Sequence, residues 1–179
     1  MYRLRFLFLI IRCLITSPVE LLSKRKLRFL ALPFIDTDVT RVFTHSYSIF
    51  MALARWDLMF GSEFRPLAIK NKWVPITTAE TITYRRSIQA FERFEVVTEI
   101  VHWDEQRFYI EHRFMCKGKL CLRALVEGMI RGPDGVIGPQ EMFTQTGDIG
   151  QLPEISEQLH MEIEALQHSS KFTKELALN

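Results

Sequence analysis

The pattern of hydrophobic positions is clearest between Thr44 and Phe60, where apolar residues fall on nearly every face of a helix. The side chains at helical spacing are Ile49, Phe50, Leu53, Trp56 and Phe60. One Arg and one Asp are its only charges. Thr44 or Ser46 is predicted to cap the start of the helix, and Gly61 its end. A helix that is apolar on every side is buried on every side, so the rest of the chain must cover it.

Elsewhere the apolar residues alternate with polar ones, which favours β-strands. The predicted strands are Leu27–Phe34, Trp73–Tyr84, Arg93–Trp103, Arg107–Cys116 and Leu120–Ile130. Tight turns at residues 104–105 and 117–118 join the last three as hairpins. A curved antiparallel sheet wrapped around the long helix satisfies both patterns, and this is the hotdog arrangement of the α+β class. The open edges of such a sheet commonly pair with a second copy, so we expect a homodimer or tetramer.

The length of the chain predicts one domain with an extension at each end. The predicted parts are an N-terminal helical extension (residues 1–26), a hotdog domain (residues 27–145) and a C-terminal tail (residues 146–179). Within the tail, Glu154–Leu166 has the spacing of an amphipathic helix, and residues 168–179 are predicted to be poorly fixed. Residues 61–71 are predicted to be a connection without regular structure.

The first fifteen residues combine basic and apolar side chains and predict an amphipathic helix. The apolar run is shorter than the roughly 20 residues needed to span a bilayer. Three alternatives remain open: the helix packs on the domain, it is a signal sequence, or it lies on a membrane. In the last case Arg3, Arg5 and Arg12 would face the phosphates. No small-residue cleavage site follows, which disfavours the signal sequence.

Composition narrows the choice of partners. A net charge of +2 does not indicate nucleic-acid binding, which requires a concentrated basic face. The cysteines are Cys13, Cys116 and Cys121. They lack the spacing of a metal or redox motif, so we expect free thiols in a reducing, cytoplasmic compartment. No His, Cys or acidic residues recur at ligand spacing, and we therefore predict neither a metal site nor a cofactor.

Two strand segments resemble a motif of the hotdog-fold acyl-CoA thioesterases, the group that includes 4-hydroxybenzoyl-CoA thioesterase. They are Arg93–Asp104, which reads RFEVVTEIVHWD, and Phe108–Phe114, which reads FYIEHRF. The end of the long helix, Ala54–Leu58, is similar too, and the resemblance covers roughly residues 27–130. It implies the hotdog fold, and it implies an acyl-CoA or acyl-carrier thioester as the molecule bound.

In that family the chemistry lies just before the helix, in an Asp-x-Asp, a His-x-Asn-Asn and a Tyr. The resemblance places the Asp-x-Asp on Asp36 and Asp38 and the Tyr on Tyr47. The remaining family positions, a His, two Asn and an acidic residue within the helix, fall on Arg41, Phe43, Thr44 and Ala52. The motif is therefore degenerate, and it implies Asp38 as the first choice of catalytic acid and Asp36 as the second.

A thioester hydrolase must polarise a carbonyl group, activate a water molecule and hold an acyl chain. The unpaired N–H groups at the start of the helix, from Thr44 through Ser46 to Tyr47, are suited to the first task. Asp38 or Asp36 can serve as general base or nucleophile. The plainer interpretation of both acids is that they cap the loop before the helix.

Three other residues complete the candidate site. His45 is a candidate base, Thr81 a candidate for substrate contact, and Arg85 a candidate for the phosphates of CoA. Each also has a plainer interpretation: a local hydrogen bond for His45, an ordinary strand residue for Thr81, and a solvated strand end for Arg85.

The leading hypothesis is hydrolysis of acyl-CoA-type thioesters to free acid and CoA. It assigns water activation to an Asp before the central helix and carbonyl polarisation to the N-terminus of that helix. The alternative is a non-catalytic acyl- or lipid-binding protein, possible at a membrane surface through residues 1–15. A hotdog dehydratase using Asp38 with His45 is a third and weaker option.

Overall fold

The computed structural model describes residues 2–146 and 153–176, with the backbone alone for residues 172 and 174–176. The helices are α1 (Tyr2–Ile15), α2 (Thr44–Phe60), α3 (Phe64–Asn71), α4 (Pro139–Thr146) and α5 (Glu157–Leu176). The strands are β1 (Arg25–Leu30), β2 (Val74–Tyr84), β3 (Arg93–Trp103), β4 (Phe108–Cys116), β5 (Lys119–Gly132) and β6 (Gly135–Ile137). The predicted α2 and β3 have the bounds that the sequence pattern indicates.

The strands form one sheet in the order β1-β3-β4-β5-β2, and β6 pairs with β5. β1 and β3 are antiparallel, with Leu27 opposite Val96. The β4–β5 turn has Lys117 at φ 49° and Gly118 at φ 74°, and two consecutive positive φ angles are the geometry of a two-residue hairpin. The predicted α+β hotdog fold is confirmed. β1 lies earlier in the chain than predicted, and β6 was not predicted.

Three helical regions differ from the sequence prediction. Residues 64–71, predicted as a connection, form α3, because Pro66 lies in the first turn, where a helix does not need its N–H. α4 was not predicted. α5 continues ten residues beyond the predicted end at Leu166, to Leu176. That residues 168–179 are poorly fixed stays a prediction. Residues 177–179 and Met1 lie outside the described residues.

The described residues divide into two compact units. The first contains residues up to 66, 82–99 and 111–124, and the second contains residues 67–81, 100–110 and those from 125 onward. In the first unit α2 lies at the centre of the core. Its fully buried side chains include Phe50, Met51, Leu53 and Leu58. Phe50, Met51 and Leu53 pack with Phe94 and Val96 of β3, Phe114 of β4, and Leu122 and Ala124 of β5, among others. The predicted burial of this helix is confirmed.

α1 packs on α2 in the first unit through one face only. Leu9 and Cys13 are buried, and the rings of Phe6 and Trp56 meet edge to face with centroids 5.3 Å apart. Among the described residues no helix is long and apolar enough to cross a membrane.

In the second unit α5 packs against strand residues through its apolar side chains. Ile163 and Leu166 form a cluster with Tyr109 and Leu125. α4 contributes Phe143, whose ring lies 4.7 Å from that of Trp103. The predicted amphipathic character of the tail helix is confirmed, since its apolar stripe is the side that packs.

Candidate functional site

The N-terminus of α2 carries no side-chain cap. Phe43 occupies the N-cap position and makes no side-chain hydrogen bond to the helix, so the prediction of Thr44 or Ser46 as cap is wrong. Thr44 and His45 are exposed, and the imidazole of His45 stacks on the ring of Phe43 at 5.1 Å. Phe43 takes the cap position because its amide is already engaged by the preceding loop. The Phe43 side chain therefore satisfies none of the first N–H groups of the helix, and the Ser46 N–H instead donates to the Phe43 carbonyl at 3.0 Å.

That loop is a short hairpin running from Asp36 to Phe43. The Phe43 N–H donates to the carbonyl of Asp36 at 2.9 Å, and the Asp38 N–H donates to the carbonyl of Arg41 at 2.9 Å. Thr37 and Val42 pair between them. Asp36 is thus level with the helix start, and Asp38 lies about 7 Å farther along the hairpin, at roughly 3.3 Å per residue.

Asp38 is exposed at the tip of this hairpin. Its Oδ1 accepts the N–H groups of Thr40 and Arg41, each at 2.7 Å. The hydrogen bond from the Arg41 amide, followed by that from Thr40, lowers the pKa of this carboxyl group. Asp38 is therefore ionised at neutral pH, and its carboxylate caps its own turn, as the plainer interpretation of the sequence holds. Its catalytic role stays a prediction.

Asp36 is buried and points toward α1 rather than toward solvent. Its two carboxylate oxygens each accept a guanidinium N–H of Arg5 at 2.7 Å, and Oδ2 also accepts the Leu32 N–H at 2.9 Å. The same guanidinium lies over the ring of Phe50, 5.1 Å from its centroid. A bidentate Arg–carboxylate pair fixes geometry, so α1 holds the loop that leads into α2.

Arg5 is the residue at this site that sequence reasoning missed. Arg5 and Arg12 are seven residues apart and so share a face of α1. Arg12 and Arg25 both donate to Asp57, which is 1% exposed near the end of α2. The membrane alternative placed all three α1 arginines toward phosphates, and that placement is wrong for Arg5 and Arg12, which face inward. The equal spacing was the signal that both had a common direction.

Tyr47 lies in the first turns of α2 with its ring buried against Tyr84 and Phe114. Its hydroxyl oxygen accepts the Ile88 N–H at 3.2 Å. Burial raises the pKa of the phenol above its usual value, so the hydroxyl keeps its proton and is able to donate it in a hydrogen bond. Ser46 is buried beside it.

The two strand candidates lie in different units. Thr81 is exposed on β2 in the second unit. Arg85 follows β2 in the first unit; its side chain is exposed, and its N–H donates to the Cys121 carbonyl at 2.9 Å. The roles predicted for both stay predictions.

A buried histidine on β4 contacts both β3 and α2 in the first unit. His112 on β4 has Nδ1 2.8 Å from Thr98 Oγ1 and Nε2 3.4 Å from a guanidinium nitrogen of Arg55 on α2. Because the guanidinium only donates, Nε2 accepts and Nδ1 carries the proton toward Thr98. Complete burial, and then the charge of Arg55, hold the pKa of His112 well below its usual value, so the ring is neutral.

An apolar groove of about 860 Å³ runs between α1 and β1 in the first unit. The apolar residues along it are Leu4, Phe8, Leu9, Leu27, Phe29, Leu30, Leu32 and Leu53. Its basic residues are Arg5, Arg12, Lys26 and Arg28. A groove of this composition suits a molecule with a hydrocarbon chain and a negatively charged group.

The chain is 36% identical to protein THEM6 of Danio rerio over 100 residues, which cover 54% of this chain and 47% of that protein. The chain thus spans about half the length of the curated relatives it matches.

Two solved structures from Staphylococcus aureus show the fold. DHNA-CoA thioesterase superposes with a TM-score of 0.59 at 16% identity, covering 82% of this chain and 94% of that one. A hypothetical protein solved in complex with CoA gives 0.59 at 19% identity, covering 80% and 96%. The model of the thioesterase-like superfamily matches residues 33–159, which is most of the chain. The chain therefore belongs to the thioesterase-like superfamily.

Proposed function

We propose that the protein hydrolyses acyl-CoA-type thioesters at the N-terminal end of α2. The observation that carries the proposal is the start of a buried helix without a side-chain cap from Phe43, preceded by a hairpin whose tip presents an ionised carboxylate, in a chain of this superfamily. Its N–H groups and dipole favour the negative charge that develops on a thioester oxygen under attack. That a neighbour of the same fold was solved with CoA supports this carrier.

In the proposed reaction a water oxygen attacks the carbonyl carbon, the C–S bond breaks, and the water proton passes to the thiolate that leaves. Asp38 orients the water and takes its proton in transit. Its lowered pKa makes it a weak base, so we assign it more to orientation and charge than to proton affinity. Asp36, held by Arg5, positions the hairpin. Thr44, Ser46 and Tyr47 border the carbonyl.

The protein is proposed to act as a homodimer in which two copies pair through β2. This strand is at one edge of the sheet, and eight of its eleven residues are exposed, on both faces. An exposed strand of this length is a template for another strand. A Thr81→Lys change, which places a charge on the exposed edge strand, is expected to yield monomers in analytical ultracentrifugation, whereas Thr81→Ala is expected to leave the dimer intact.

The test of catalysis is hydrolysis of acyl-CoAs of graded chain length, comparing Asp38→Asn with Asp134→Asn, an exposed Asp in the β5–β6 turn. We expect Asp38→Asn to lower kcat about 100-fold and Asp134→Asn to leave it unchanged. His45→Gln and Arg85→Ala test the remaining candidates, and Arg85→Ala is expected to raise KM for CoA esters without changing kcat. Absence of turnover with every chain length, or equal turnover in both Asp variants, would rule out the assignment.

A second candidate function is non-catalytic binding of acyl chains. It is favoured by the α1–β1 groove, and by the engagement of both Asp carboxylates within the protein. Native mass spectrometry of the purified chain would then reveal bound lipid without turnover. Leu30→Asp in the groove is expected to lower its occupancy, whereas Val136→Asp, a similarly exposed apolar strand residue elsewhere, is not. Equal occupancy in both variants would exclude the groove.

A further inference from the structure

α1 has the reverse of the orientation expected of a surface helix. Two of its three arginines, Arg5 and Arg12, point into the protein and pair with Asp36 and Asp57. The side chains that face solvent instead are Leu4, Leu7, Phe8, Ile11, Leu14 and Ile15, each between 48% and 79% exposed. They follow helical spacing and form one continuous stripe. Contiguous exposed apolar surface of this kind marks an interaction site.

The segment that carries this stripe is rich in basic residues. Residues 1–28 contain seven Lys and Arg against one Glu, a net of +6, whereas the whole chain is only +2. α1 itself contains no acidic residue. Besides Arg3, the exposed cations are Lys24, Lys26 and Arg28, on and just before β1. The rest of the chain is therefore net negative. Part of that negative charge offsets the segment: Asp36 and Asp57 pair with Arg5, Arg12 and Arg25, and Glu99 and Glu95 of β3 pair with Lys24 and Arg28 at the surface.

The stripe and the cations meet along the α1–β1 groove. Leu4 and Phe8 from the stripe line it on one side, and Lys26 and Arg28 line it on the other. A ligand at this surface would find hydrocarbon contacts next to ammonium and guanidinium groups. That is the order of groups at the boundary of an anionic lipid bilayer, where acyl chains lie below phosphates.

Charge also argues against a second copy of the chain as the occupant. A two-fold symmetric interface brings the same patch of each subunit face to face. Arg28 and Lys24 have surface partners in Glu95 and Glu99 of β3, but Lys26 would then oppose its own equivalent, and α1 carries no acidic residue to compensate. An anionic bilayer supplies the compensating charge.

We propose that α1 and β1 form a docking surface for an anionic lipid bilayer. The apolar stripe of α1 inserts among the lipid head groups, and Lys24, Lys26 and Arg28 contact phosphates. Arg5 and Arg12 hold α1 on the protein, so the helix docks as part of the folded domain. Through the pair of Arg5 with Asp36, the docked helix is tied to the hairpin before α2. The proposal goes beyond the proposed function and holds whether or not the protein hydrolyses thioesters.

The experiment is cosedimentation of the full chain with vesicles of phosphatidylcholine, alone or mixed with phosphatidylglycerol. The test variant is Phe8→Ser with Leu14→Ser. Its matched control is Ile69→Ser with Met161→Ser, which replaces comparably exposed apolar residues on α3 and α5. We expect binding to the mixed vesicles only, with a partition coefficient at least tenfold lower in the test variant and unchanged in the control.

The cationic half of the surface is tested separately. Replacing Lys26 and Arg28 by Ala is expected to lower partitioning onto the mixed vesicles about fivefold for each cation removed, whereas Lys171→Ala on α5 is expected to have no effect. Raising the salt concentration should weaken binding of the unmodified chain and narrow the difference between it and the Lys26, Arg28 variant.

Three outcomes would overturn the proposal. The chain fails to sediment with mixed vesicles; or the Phe8, Leu14 variant binds as tightly as its control; or neutral and mixed vesicles are bound equally. If a protein occupies this surface instead, the unmodified chain should not bind vesicles. The Phe8, Leu14 variant should then change the sedimentation coefficient measured without lipid. The substituted residues are exposed in both the test and the control variant, so circular dichroism should show the same fold for the two.

Discussion

The two terminal helices, α1 and α5, pack on the protein in a similar way but expose different surfaces. Each lies on one compact unit and covers a buried carboxylate. Under α1, Asp57 accepts from Arg12 and Arg25. Under α5, Glu127, which is completely buried, accepts from Arg107 at 2.9 Å and from Ser170 of the helix at 3.0 Å. In both units a polar contact therefore locates the helix, and apolar side chains pack around it.

The outward faces separate the two helices. α5 directs Ile163 and Leu166 inward and exposes residues such as Glu157, His160 and Glu164, as a helix in water should. α1 turns two of its three arginines inward and most of its leucines outward. The difference shows that the packing of a helix on its domain does not define its environment. The outer face of α5 is suited to water, whereas the outer face of α1 exposes apolar area that remains to be buried.

The largest loss of stability is expected from substitution of the two buried carboxylates, for which α1 and α5 are predicted to behave alike. Asp57→Ala should lower the free energy of unfolding by about 3–5 kcal/mol, because Arg25 and Arg12 would lose the buried anion between them. Glu127→Ala should cost a similar amount, because Arg107 is only 11% exposed and would also be left unpaired. Urea unfolding followed by circular dichroism measures both.

The control for these variants is Glu95→Ala, which removes an exposed ion pair with Arg28. Its expected cost is below about 1 kcal/mol. A small effect of either buried variant would mean that this carboxylate does not hold the corresponding helix, and the parallel between α1 and α5 would fail.

The next effect separates the two faces of α1. Leu9→Ala empties a site that is 6% exposed and should cost about 2–4 kcal/mol, as should Ile163→Ala in α5. Phe8→Ala, one residue away but facing outward, should change the free energy of unfolding by less than about 0.5 kcal/mol. The same unfolding measurement distinguishes them. A cost for Phe8→Ala equal to that of Leu9→Ala would mean that the stripe is already covered by the protein.

The contrast also explains which features could be predicted from the sequence. The strands and α2 follow from local periodicity, and for β3 the pattern gives both ends correctly, because alternation records which face is buried. The inward direction of Arg5 and Arg12 depends on Asp36 and Asp57, 31 and 45 residues farther along the chain. No local pattern contains that information.

Within the candidate site the same division applies. That Asp38 caps a turn is local chemistry, since an Asp two residues before a turn amide commonly accepts from it, and the sequence interpretation included that alternative. The choice of Phe43 as the N-cap was missed, because it depends on pairing of its amide with the Asp36 carbonyl across the hairpin. The extension of α5 was missed for a related reason: Gln167 donates to Asp104 at 3.1 Å and to Tyr109 at 2.7 Å, contacts that hydrophobic periodicity does not reveal.

A smaller effect should appear as a dependence on pH. His112 is neutral when buried in the first unit, and its pKa is well below the ordinary value of 6.5. The unfolded chain therefore binds more protons below that pH, so stability is complete above it and is lost as the pH falls. The expected loss is up to about 1.4 kcal/mol per pH unit. His112→Gln should flatten this slope in urea unfolding curves. His102→Gln in the second unit should flatten it less, because burial lowers the pKa of His102 only moderately. Equal slopes in all three proteins would contradict the buried neutral state of His112.

The smallest expected effect is a gain in stability. It comes from substitutions that make the outer face of α1 resemble that of α5. Ile11→Glu with Ile15→Lys places an acidic and a basic residue four positions apart on exposed positions, with the lysine near the negative end of the helix dipole. In water this change should stabilise the fold by about 0.3–0.5 kcal/mol, and the reversed pair, Ile11→Lys with Ile15→Glu, should give less. Thermal unfolding of the two double variants, which have equal composition, measures the difference. If the exposed isoleucines instead contributed to the fold in water, both double variants would be destabilised by more than about 1 kcal/mol. The outer faces of α1 and α5 would then not differ in whether they have apolar area left to bury, and the stripe would be part of the core.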